Sequence, residues 1–344
     1  MAYLSMNHFL KKTILKILLK IGYFNVVRFK NRHKITVLML HGVMAKNENT
    51  TWEPLRPQIS PLELKQTLQI LSKYYQFISM SQCFSLLEGE TTDITNGLLI
   101  TFDDGYRNNI DYALPICEEF GVKPILFVTT SHIDSGLPFW FDRLDYALQQ
   151  NMGKNIDLSF KGNIYYFDAS SRYELRKSYK KFRDHCKSTF KNDVEMIQLF
   201  EHFCETLELR SGKALHDICA KDDWSSIASW QMLKDAVHKN RLSVGSHTVD
   251  HWRLDHLSEE QILWQLLESK NRIEQELCAK CHFFCYPNGS YNKLAIKLLK
   301  DNGYKAAFST DVGLCSEKDN SMTLKRYNFP INKTKSEIIF KLNH

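Results

Sequence analysis

The chain has 344 residues, 43% hydrophobic and 24% charged, which is typical of a soluble globular protein whose core needs no disulfides or structural metals. Its formal net charge is +6, but no Asp or Glu precedes Glu48, so the basic excess belongs to the N-terminal segment. The sequence has no basic domain with a nucleic-acid fingerprint, which argues against DNA or RNA as a partner.

The nine cysteines form an odd set without the spacing of a disulfide framework. Cys278 and Cys281 make one Cys-x-x-Cys pair, but no second pair follows at zinc-ribbon distance. We therefore predict mostly buried thiols in a reducing compartment.

The N-terminal segment, residues 1–34, is predicted to hold a basic amphipathic helix. Its apolar run is interrupted by Lys16 and Lys20 and lacks a small-residue cleavage site, so it fits neither a signal peptide nor a membrane span. Lys12 precedes Lys16 at the same four-residue spacing, so the three lysines share one helix face. Residues 8–30 suit either an interfacial helix on the cytoplasmic face of an anionic membrane or a helix packed on the domain with its lysines in water.

From residue 35 onward, short apolar runs alternate with helical patterns, as expected of an α/β protein with a largely parallel sheet. Helix starts are readable at Ser60, Ser258 and Tyr291, and the third of these helices ends at Gly303. The number of strands favours a barrel over a doubly wound sheet. The predicted strands are Ile35–Leu40, Gln76–Ser79, Gly97–Phe102, Pro124–Thr129, Leu242–Ser246, Phe283–Tyr286, Ala306–Ser309 and Thr323–Tyr327.

This alternation is interrupted between about residues 137 and 224, where the pattern is helical and polar. A weak run at Ile164–Phe167 is the one strand signal in this stretch. We predict a helical insertion within a single main domain that spans residues 35–344.

The first chemical motif is Asp103-Asp104-Gly105, which directly follows the apolar strand Gly97–Phe102. A turn at the strand end would let both carboxylates reach one cleft, at the sheet edge where α/β active sites form. A divalent cation would offset their mutual repulsion, with one Asp as ligand and the other as a base. The alternative is an ordinary turn that ends a strand.

The second motif is the pair His247 and His251, which also follows a predicted strand. Two histidines four positions apart can share a metal if the segment makes one helical turn. The spacing alone is weak evidence among 13 histidines, but the position after a strand matches that of the Asp pair. One Asp and two His would leave an open metal position, as catalytic sites do.

Together, the two motifs resemble those of the polysaccharide deacetylase family, the NodB-homology type of carbohydrate esterase family four. Its members remove N-acetyl groups from glycans such as chitin, peptidoglycan and poly-N-acetylglucosamine. The resemblance implies a distorted (β/α)7 barrel. It further implies that Asp103 is the base and that Asp104, His247 and His251 bind a divalent metal, usually zinc.

The resemblance extends over roughly residues 35–135 and 225–330, and its third motif is similar to Phe284–Gly289. There the backbone N–H of Asn288 would help to hold the oxyanion. Many members carry Arg where this chain has Cys285. Arg326 is a candidate substitute for that arginine, the alternative being an ordinary surface residue.

The general acid is expected to be His41, at the end of the first strand. Classical members place this histidine after the third motif, where the present chain offers none but the terminal His344. A histidine that comes first resembles the circularly permuted branch of the family, which includes poly-N-acetylglucosamine deacetylases. A core histidine without a catalytic role is the alternative.

The sequence thus predicts a metal-dependent deacetylase of an N-acetylated glycan, with the catalytic domain at residues 35–344. Two other functions fit the same motifs: an amidase for a small non-sugar amide, and an inactive relative that binds glycans. The intact set of Asp103, Asp104, His247 and His251 argues against the inactive relative.

Overall fold

The computed structural model describes residues 8–44, 52–90, 93–153 and 155–343. The strands are β1 Thr36–Leu40, β2 Gln76–Phe77, β3 Gly97–Phe102, β4 Ile125–Val128, β5 Ile156–Phe160, β6 Asn163–Phe167, β7 Ser243–Ser246, β8 Phe283–Cys285, β9 Ala306–Phe308 and β10 Tyr327–Asn328. The helices are α1 His8–Lys20, α2 Tyr23–Lys30, α3 Pro61–Leu71, α4 Met80–Leu87, α5 Leu114–Glu119, α6 Thr130–Ser135, α7 Trp140–Gln150, α8 Arg172–Thr189, α9 Asp193–Ser211, α10 Trp230–His238, α11 Glu259–Leu277, α12 Lys293–Asp301 and α13 Lys335–Lys341.

The main sheet is a curled parallel sheet of seven strands in the order β10-β1-β3-β4-β7-β8-β9. Strand β2 pairs with the first half of β3, and β4 pairs with its second half. Leu324, just before β10, exchanges backbone hydrogen bonds of 2.9 Å with the end of β9, which brings the two edges of the sheet together. The predicted distorted (β/α) barrel is therefore confirmed.

Most predicted strands appear with shorter ends, since the central strands are buried and their apolar runs continue into the adjoining loops. The predicted last strand, Thr323–Tyr327, is shifted. Its first residue belongs to a short helical turn, Leu324 makes an isolated bridge, and the strand itself is Tyr327–Asn328. The helix start predicted at Ser258 is confirmed, and it takes the form of a capping box with Gln261 as its second member.

The prediction of one N-terminal helix is wrong, because the segment forms the two helices α1 and α2. Gly22, with φ of +77°, turns the chain between them, a conformation that glycine adopts without strain. Leu15 and Phe24 are buried, and α1 packs against α13. The helix pair, residues 8–30, is thus partly docked on the barrel. Among the described residues, no helix is long and apolar enough to cross a bilayer.

The insertion between residues 137 and 224 is not wholly helical. Strands β5 and β6 form an antiparallel hairpin, and only the second was predicted. The alternating burial of Ile156–Phe160 is the period-two signal that the sequence interpretation missed. Helices α7, α8 and α9 and the hairpin enclose a hydrophobic cluster of their own, separate from that of the barrel.

Candidate active site

The candidate site lies at the carboxyl ends of the barrel strands. His41 follows β1, Asp103 follows β3, His247 follows β7 and Asn288 lies in the loop after β8. Because the strands are parallel, all these loops emerge at one rim. They line a cleft of about 480 Å³, in the size range of small-ligand sites. The insertion closes one side of the cleft with Trp140 and with residues of α8.

Adjacent carboxylates reach this cleft because the chain turns sharply after β3. Asp104 has φ of +78° and Gly105 has φ of +99°, both in the left-handed region. For a residue with a Cβ, this conformation costs about 1–3 kcal/mol, which the surrounding structure must offset. The amide of Thr129 donates to the Asp104 carbonyl at 3.3 Å, and that of Ala228 donates to the Gly105 carbonyl at 3.0 Å.

The predicted metal ligands converge. Asp104 Oδ1 lies 3.6 Å from His247 Nε2 and 3.5 Å from His251 Nε2. Two ligands of a tetrahedral zinc ion are about 3.3 Å apart, as follows from bonds of roughly 2 Å. Asp104 Oδ1 is buried without a hydrogen-bond partner among the described residues. An orphaned carboxylate oxygen beside two imidazole nitrogens fits a divalent metal.

His247 is prepared as a ligand by its surroundings. Its Nδ1 donates to the Cys285 carbonyl at 2.7 Å, which leaves Nε2 unprotonated and fixes the ring. Burial, with the nearby His251, lowers the pKa of His247 to about 4 although Asp103 raises it. The imidazole is therefore neutral at physiological pH, the form that binds metals.

The two histidines do not lie on one helical turn, so that part of the prediction is wrong. The connecting loop contains Thr248 and His251 at φ of 69° and 60°. Gln265, buried on α11, accepts hydrogen bonds from the amides of Val249 and Asp250 at 2.8 and 3.1 Å. A side chain from a distant helix thus shapes the loop, which sequence spacing gave no means of finding.

Asp103 faces a buried arginine from another strand. Arg326, just before β10, donates to both carboxylate oxygens of Asp103 at 2.8 Å. It is 1% exposed, so the alternative of a surface arginine is wrong. Its guanidinium also donates to the Ser309 carbonyl at 2.9 Å and contacts the Cys285 sulfur at 3.0 Å.

A second trio of possible metal ligands consists of Asp103, His247 and Cys285. Two of its members are already in contact with Arg326, and burial raises the pKa of the Cys285 thiol well above its usual value. A protonated thiol beside a guanidinium is a poor ligand. The trio of Asp104, His247 and His251 is the better metal site.

Both carboxyls are held ionised. Burial acts to raise the pKa of Asp103, but Arg326, His247 and His41 together lower it below its usual value. Burial likewise acts to raise the pKa of Asp104, but the charges of His41, His251 and His247 lower it below its usual value. Cationic neighbours thus outweigh desolvation at both positions.

His41 lies exposed at the rim and lines the cleft, so the alternative of a core histidine is wrong. Asn109 donates to its carbonyl at 2.6 Å, and Asn108 Oδ1 accepts from the Val43 amide at 3.1 Å. Both asparagines follow the Asp motif closely in sequence. The turn that follows the first motif therefore fixes the loop that carries His41, a role that the sequence did not indicate.

Asn288 sits in a tight turn at the other side of the cleft. It has φ of 55° and is followed by Gly289 at φ of 72°. A Cβ on Gly289 would lie 2.0 Å from Thr310 Oγ1, so only glycine fits. The Asn288 side chain accepts a hydrogen bond of 2.5 Å from Lys187 of the insertion.

A polar network that the sequence did not indicate connects the insertion to the rim. Arg56 pairs with the buried Asp142 of α7 and donates to Tyr106 Oη at 2.8 Å. Tyr106 in turn donates to Asp142 at 2.6 Å. The Arg56 guanidinium stacks 5.3 Å from the Phe141 ring and lines the cleft.

Comparisons with known proteins agree with this geometry. A family model described as polysaccharide deacetylase matches residues 199–307, which contain the second and third motifs. YxkH of Bacillus subtilis (strain 168), provisionally named a polysaccharide deacetylase, is 29% identical over 96 residues. That match covers 28% of this chain and 34% of YxkH.

Three solved structures share the fold over most of both chains. A Streptococcus pyogenes deacetylase, PplD, solved with acetate, has a TM-score of 0.59 at 16% identity, covering 90% of this chain and 98% of its own. IcaB from Ammonifex degensii has a TM-score of 0.55 at 15% identity, and the match covers 90% of this chain and 97% of IcaB. A de-N-acetylase from Aggregatibacter actinomycetemcomitans has a TM-score of 0.54 at 13% identity, and the match covers 88% of this chain and 97% of that enzyme. Together with the motif geometry, these findings lead to one conclusion: residues 199–307 match the polysaccharide deacetylase family model, and the fold over most of the chain is similar to that of these solved deacetylases.

Proposed function

We propose that this protein is a metal-dependent hydrolase that removes N-acetyl groups from an N-acetylated glycan. The observation that carries the proposal is the pairing of an open set of three ligand atoms with a separately held carboxylate. Asp104, His247 and His251 leave a metal position free for substrate, while Asp103 is kept out of the ligand set by Arg326. A purely structural metal site would have no use for this second carboxylate group.

One oxygen and two nitrogen donors suit zinc among the divalent metals. When bound there, the metal would polarise the acetamide oxygen and lower the pKa of water. Asp103 would accept the proton of the attacking water as the oxygen bonds to the acetyl carbon. Its fork with Arg326 fixes the direction of the free carboxylate lone pairs and keeps the group ionised.

Two further groups complete the reaction. The backbone N–H of Asn288 would stabilise the negative oxygen that develops on the acetyl carbon. His41, across the cleft, would donate a proton to the sugar nitrogen as the C–N bond breaks, so that acetate and a free amine leave. The Trp140 Nε1, a buried donor without a partner among the described residues, would be available to a sugar hydroxyl.

The proposal is tested by amine release from N-acetylated oligosaccharides, with metal content measured on the same samples. Asp103→Asn should keep the metal and lose about 10²–10⁴-fold in turnover, the usual value of a general base. His41→Ala should lose turnover with metal retained. Normal turnover in either variant would remove that residue from its role. His256→Ala, on a surface turn, is the control.

Hydrolysis of a small non-sugar amide is the second candidate. The same ligand set would serve it, but the cleft carries the Trp140 Nε1 donor, which has no partner among the described residues, and this favours a hydroxylated substrate. Parallel assays on small N-acetyl amines would decide between the two. Release of amine from these alone would overturn the glycan assignment.

The helix pair of residues 8–30 supports a contact with an anionic membrane surface, at the cytoplasmic face. Ile17, Ile21, Val26 and Phe29 are 54–69% exposed, and this segment carries no acidic residue. Exposed apolar side chains among lysines bind interfaces with anionic lipids. The contact is proposed for the full protein and is independent of its catalytic chemistry.

Sedimentation with phosphatidylglycerol vesicles tests this contact. Replacing Ile17, Ile21 and Phe29 together with Ser should abolish binding. The matched control replaces Ile164, Leu209 and Val312, which are 64–86% exposed elsewhere, with Ser and should retain it. Equal binding by both triple variants, or no binding by the wild type, would contradict the membrane contact.

A further inference from the structure

One wall of the cleft is a helix that presents two cations to it. Arg183 and Lys187 of α8 both line the cleft, and four-residue spacing places them on the same helix face. Tyr179, one turn earlier, donates its hydroxyl to the Phe141 carbonyl at 2.7 Å, and the Arg183 guanidinium lies 5.7 Å from the Tyr179 ring. Lys187 reaches Asn288, beside the predicted oxyanion position.

These two cations have no carboxylate partner among the described residues. Other cations around the site do: Arg326 is paired with Asp103, and Arg56 with Asp142. On α8 itself, the nearest acid, Asp184, is paired with Lys180 at 2.5 Å. Partial desolvation and the adjacent charge of Arg183 lower the pKa of Lys187 to about 8, although Asp184 and Asp193 act to raise it. The two positive charges therefore repel each other across the wall.

The protein holds these like charges in place. Arg253, two residues beyond His251, donates to the Lys187 carbonyl at 2.9 Å and to the Phe190 carbonyl at 2.8 Å. It also forms a buried ion pair with Asp193 at the start of α9. The end of α8 is thus fixed to the loop that carries the second metal-binding motif. Two like charges held side by side at a cleft attract an anion.

We propose that Arg183 and Lys187 bind an anionic group of the substrate, a phosphate or carboxylate carried next to the N-acetylated sugar. The proposal rests on the deacetylase function and names its substrate class. An oxyanion between two cations on one helix face would accept charge-assisted hydrogen bonds from both and end their repulsion. Neutral glycans would lack this contact.

The kinetic test compares kcat/KM for a neutral N-acetylchitooligosaccharide, N-acetylglucosamine 1-phosphate and a hyaluronan oligosaccharide, which carries carboxylates. The wild type should prefer one anionic substrate, and the phosphate and carboxylate arms identify which. Arg183→Gln/Lys187→Gln should lower the ratio of anionic to neutral kcat/KM about 10- to 100-fold. Lys177→Gln/Lys181→Gln removes the same charge from the face of α8 that lines a separate groove, and should leave the ratio unchanged.

A binding measurement separates this proposal from the deacetylase function. In the Asp103→Asn background, calorimetry should find tighter binding of the preferred anion than of N-acetylglucosamine, and Arg183→Gln/Lys187→Gln should remove the difference. Retention of the difference would mean that the anion binds elsewhere, as at the metal, and would overturn the proposal. A control variant that lowers the kinetic ratio equally would also overturn it. Absence of amine release from every glycan, with anion binding intact, would count against the deacetylase function alone.

Discussion

The barrel rim and the insertion wall treat charge in opposite ways. At the rim, Asp103 is paired with Arg326, and Asp104 lies beside two histidines that could share a metal with it. On the wall, Arg183 and Lys187 have no acidic partner in the described part of the chain. The rim therefore supplies a neighbour of suitable chemistry for both aspartates, whereas the wall lacks a counter-charge among the described residues. Under the functions proposed above, the difference assigns reaction chemistry to the barrel and substrate choice to the insertion.

The two regions also differ in backbone conformation: the rim is strained, and the wall is regular. Four residues of the three motifs, Asp104, Thr248, His251 and Asn288, have positive φ, although none is glycine. Thr248 is β-branched, for which this conformation is especially unfavourable. The wall is a regular 18-residue helix. Strain is thus concentrated at the residues that must converge on one point, while the wall uses ordinary helical spacing.

The largest expected effect comes from removing the Asp104 carboxylate at the rim. Asp104→Ala leaves two imidazoles without the anionic ligand, so the metal should be lost and turnover should fall by about 10³-fold or more. Metal analysis together with amine release measures both. His256→Ala should change neither. Full metal content in Asp104→Ala would take Asp104 out of the ligand set.

Arg326→Gln tests the ion pair between Arg326 and Asp103 at the rim. It leaves Asp103 buried without a counter-charge, and kcat should fall roughly 10²-fold, in line with other electrostatic positioning groups. Lys325→Gln, which breaks the half-buried ion pair with Asp319 next to it, does not remove a contact of Asp103 and should change kcat little.

A second arginine position makes this test sharper. Cys285 Sγ lies 3.5 Å from Asp103 Oδ2, so Cys285→Arg in the Arg326→Gln background supplies a guanidinium at the position common in the family. Partial recovery of kcat is expected. No recovery in a folded double variant would show that Arg326 does not replace the missing arginine.

Arg253→Gln removes the side chain that fixes the end of α8 to the loop after His251. Unfolding should become easier by about 3–5 kcal/mol, because Asp193 is left as an unpaired buried charge. Misplacement of α8 should lower kcat/KM about tenfold. Thermal denaturation and kinetics measure the two effects. Arg272→Gln, which breaks the exposed pair with Asp134, should cost no more than about 1 kcal/mol, and an equal loss there would contradict the role of burial.

The smallest expected effect is a pH dependence of the free energy of unfolding, which arises from one buried carboxyl group of the insertion. Burial raises the pKa of Asp145 on α7 to about 7, despite hydrogen bonds from Leu55 and Gln149 that lower it. The folded state then binds more protons than the unfolded state between about pH 4 and 7. Stability should fall as pH rises through that window, by at most about 1.4 kcal/mol per unit, and become level above it.

Chemical denaturation at a series of pH values measures this slope. Asp145→Asn should reduce it, because the amide does not ionise. Asp157→Asn, at an exposed position of β5, should leave it intact. A wild-type slope in Asp145→Asn would assign the pH dependence to another group.

Much of the barrel and the site could be predicted from local patterns. The strand of residues 97–102 has the predicted bounds, because an uninterrupted apolar run ends at two carboxylates and a glycine. Asp104, His247 and His251 come together because parallel strands deliver their ends to one rim. The single N-terminal helix was wrong because Gly22 breaks it, and the hairpin strand of residues 156–160 was missed as a weak alternation.

The sequence by itself determined the barrel class and the residues of the three motifs with their order along the chain, since these depend on local periodicity and on motifs a few residues long. Only the tertiary structure decided which arginine meets Asp103, 223 positions away in sequence, and that Gln265 shapes the histidine loop. It also decided that Arg183 and Lys187 face the cleft. The physical reason is that burial, charge pairing and loop conformation depend on contacts between residues distant in sequence.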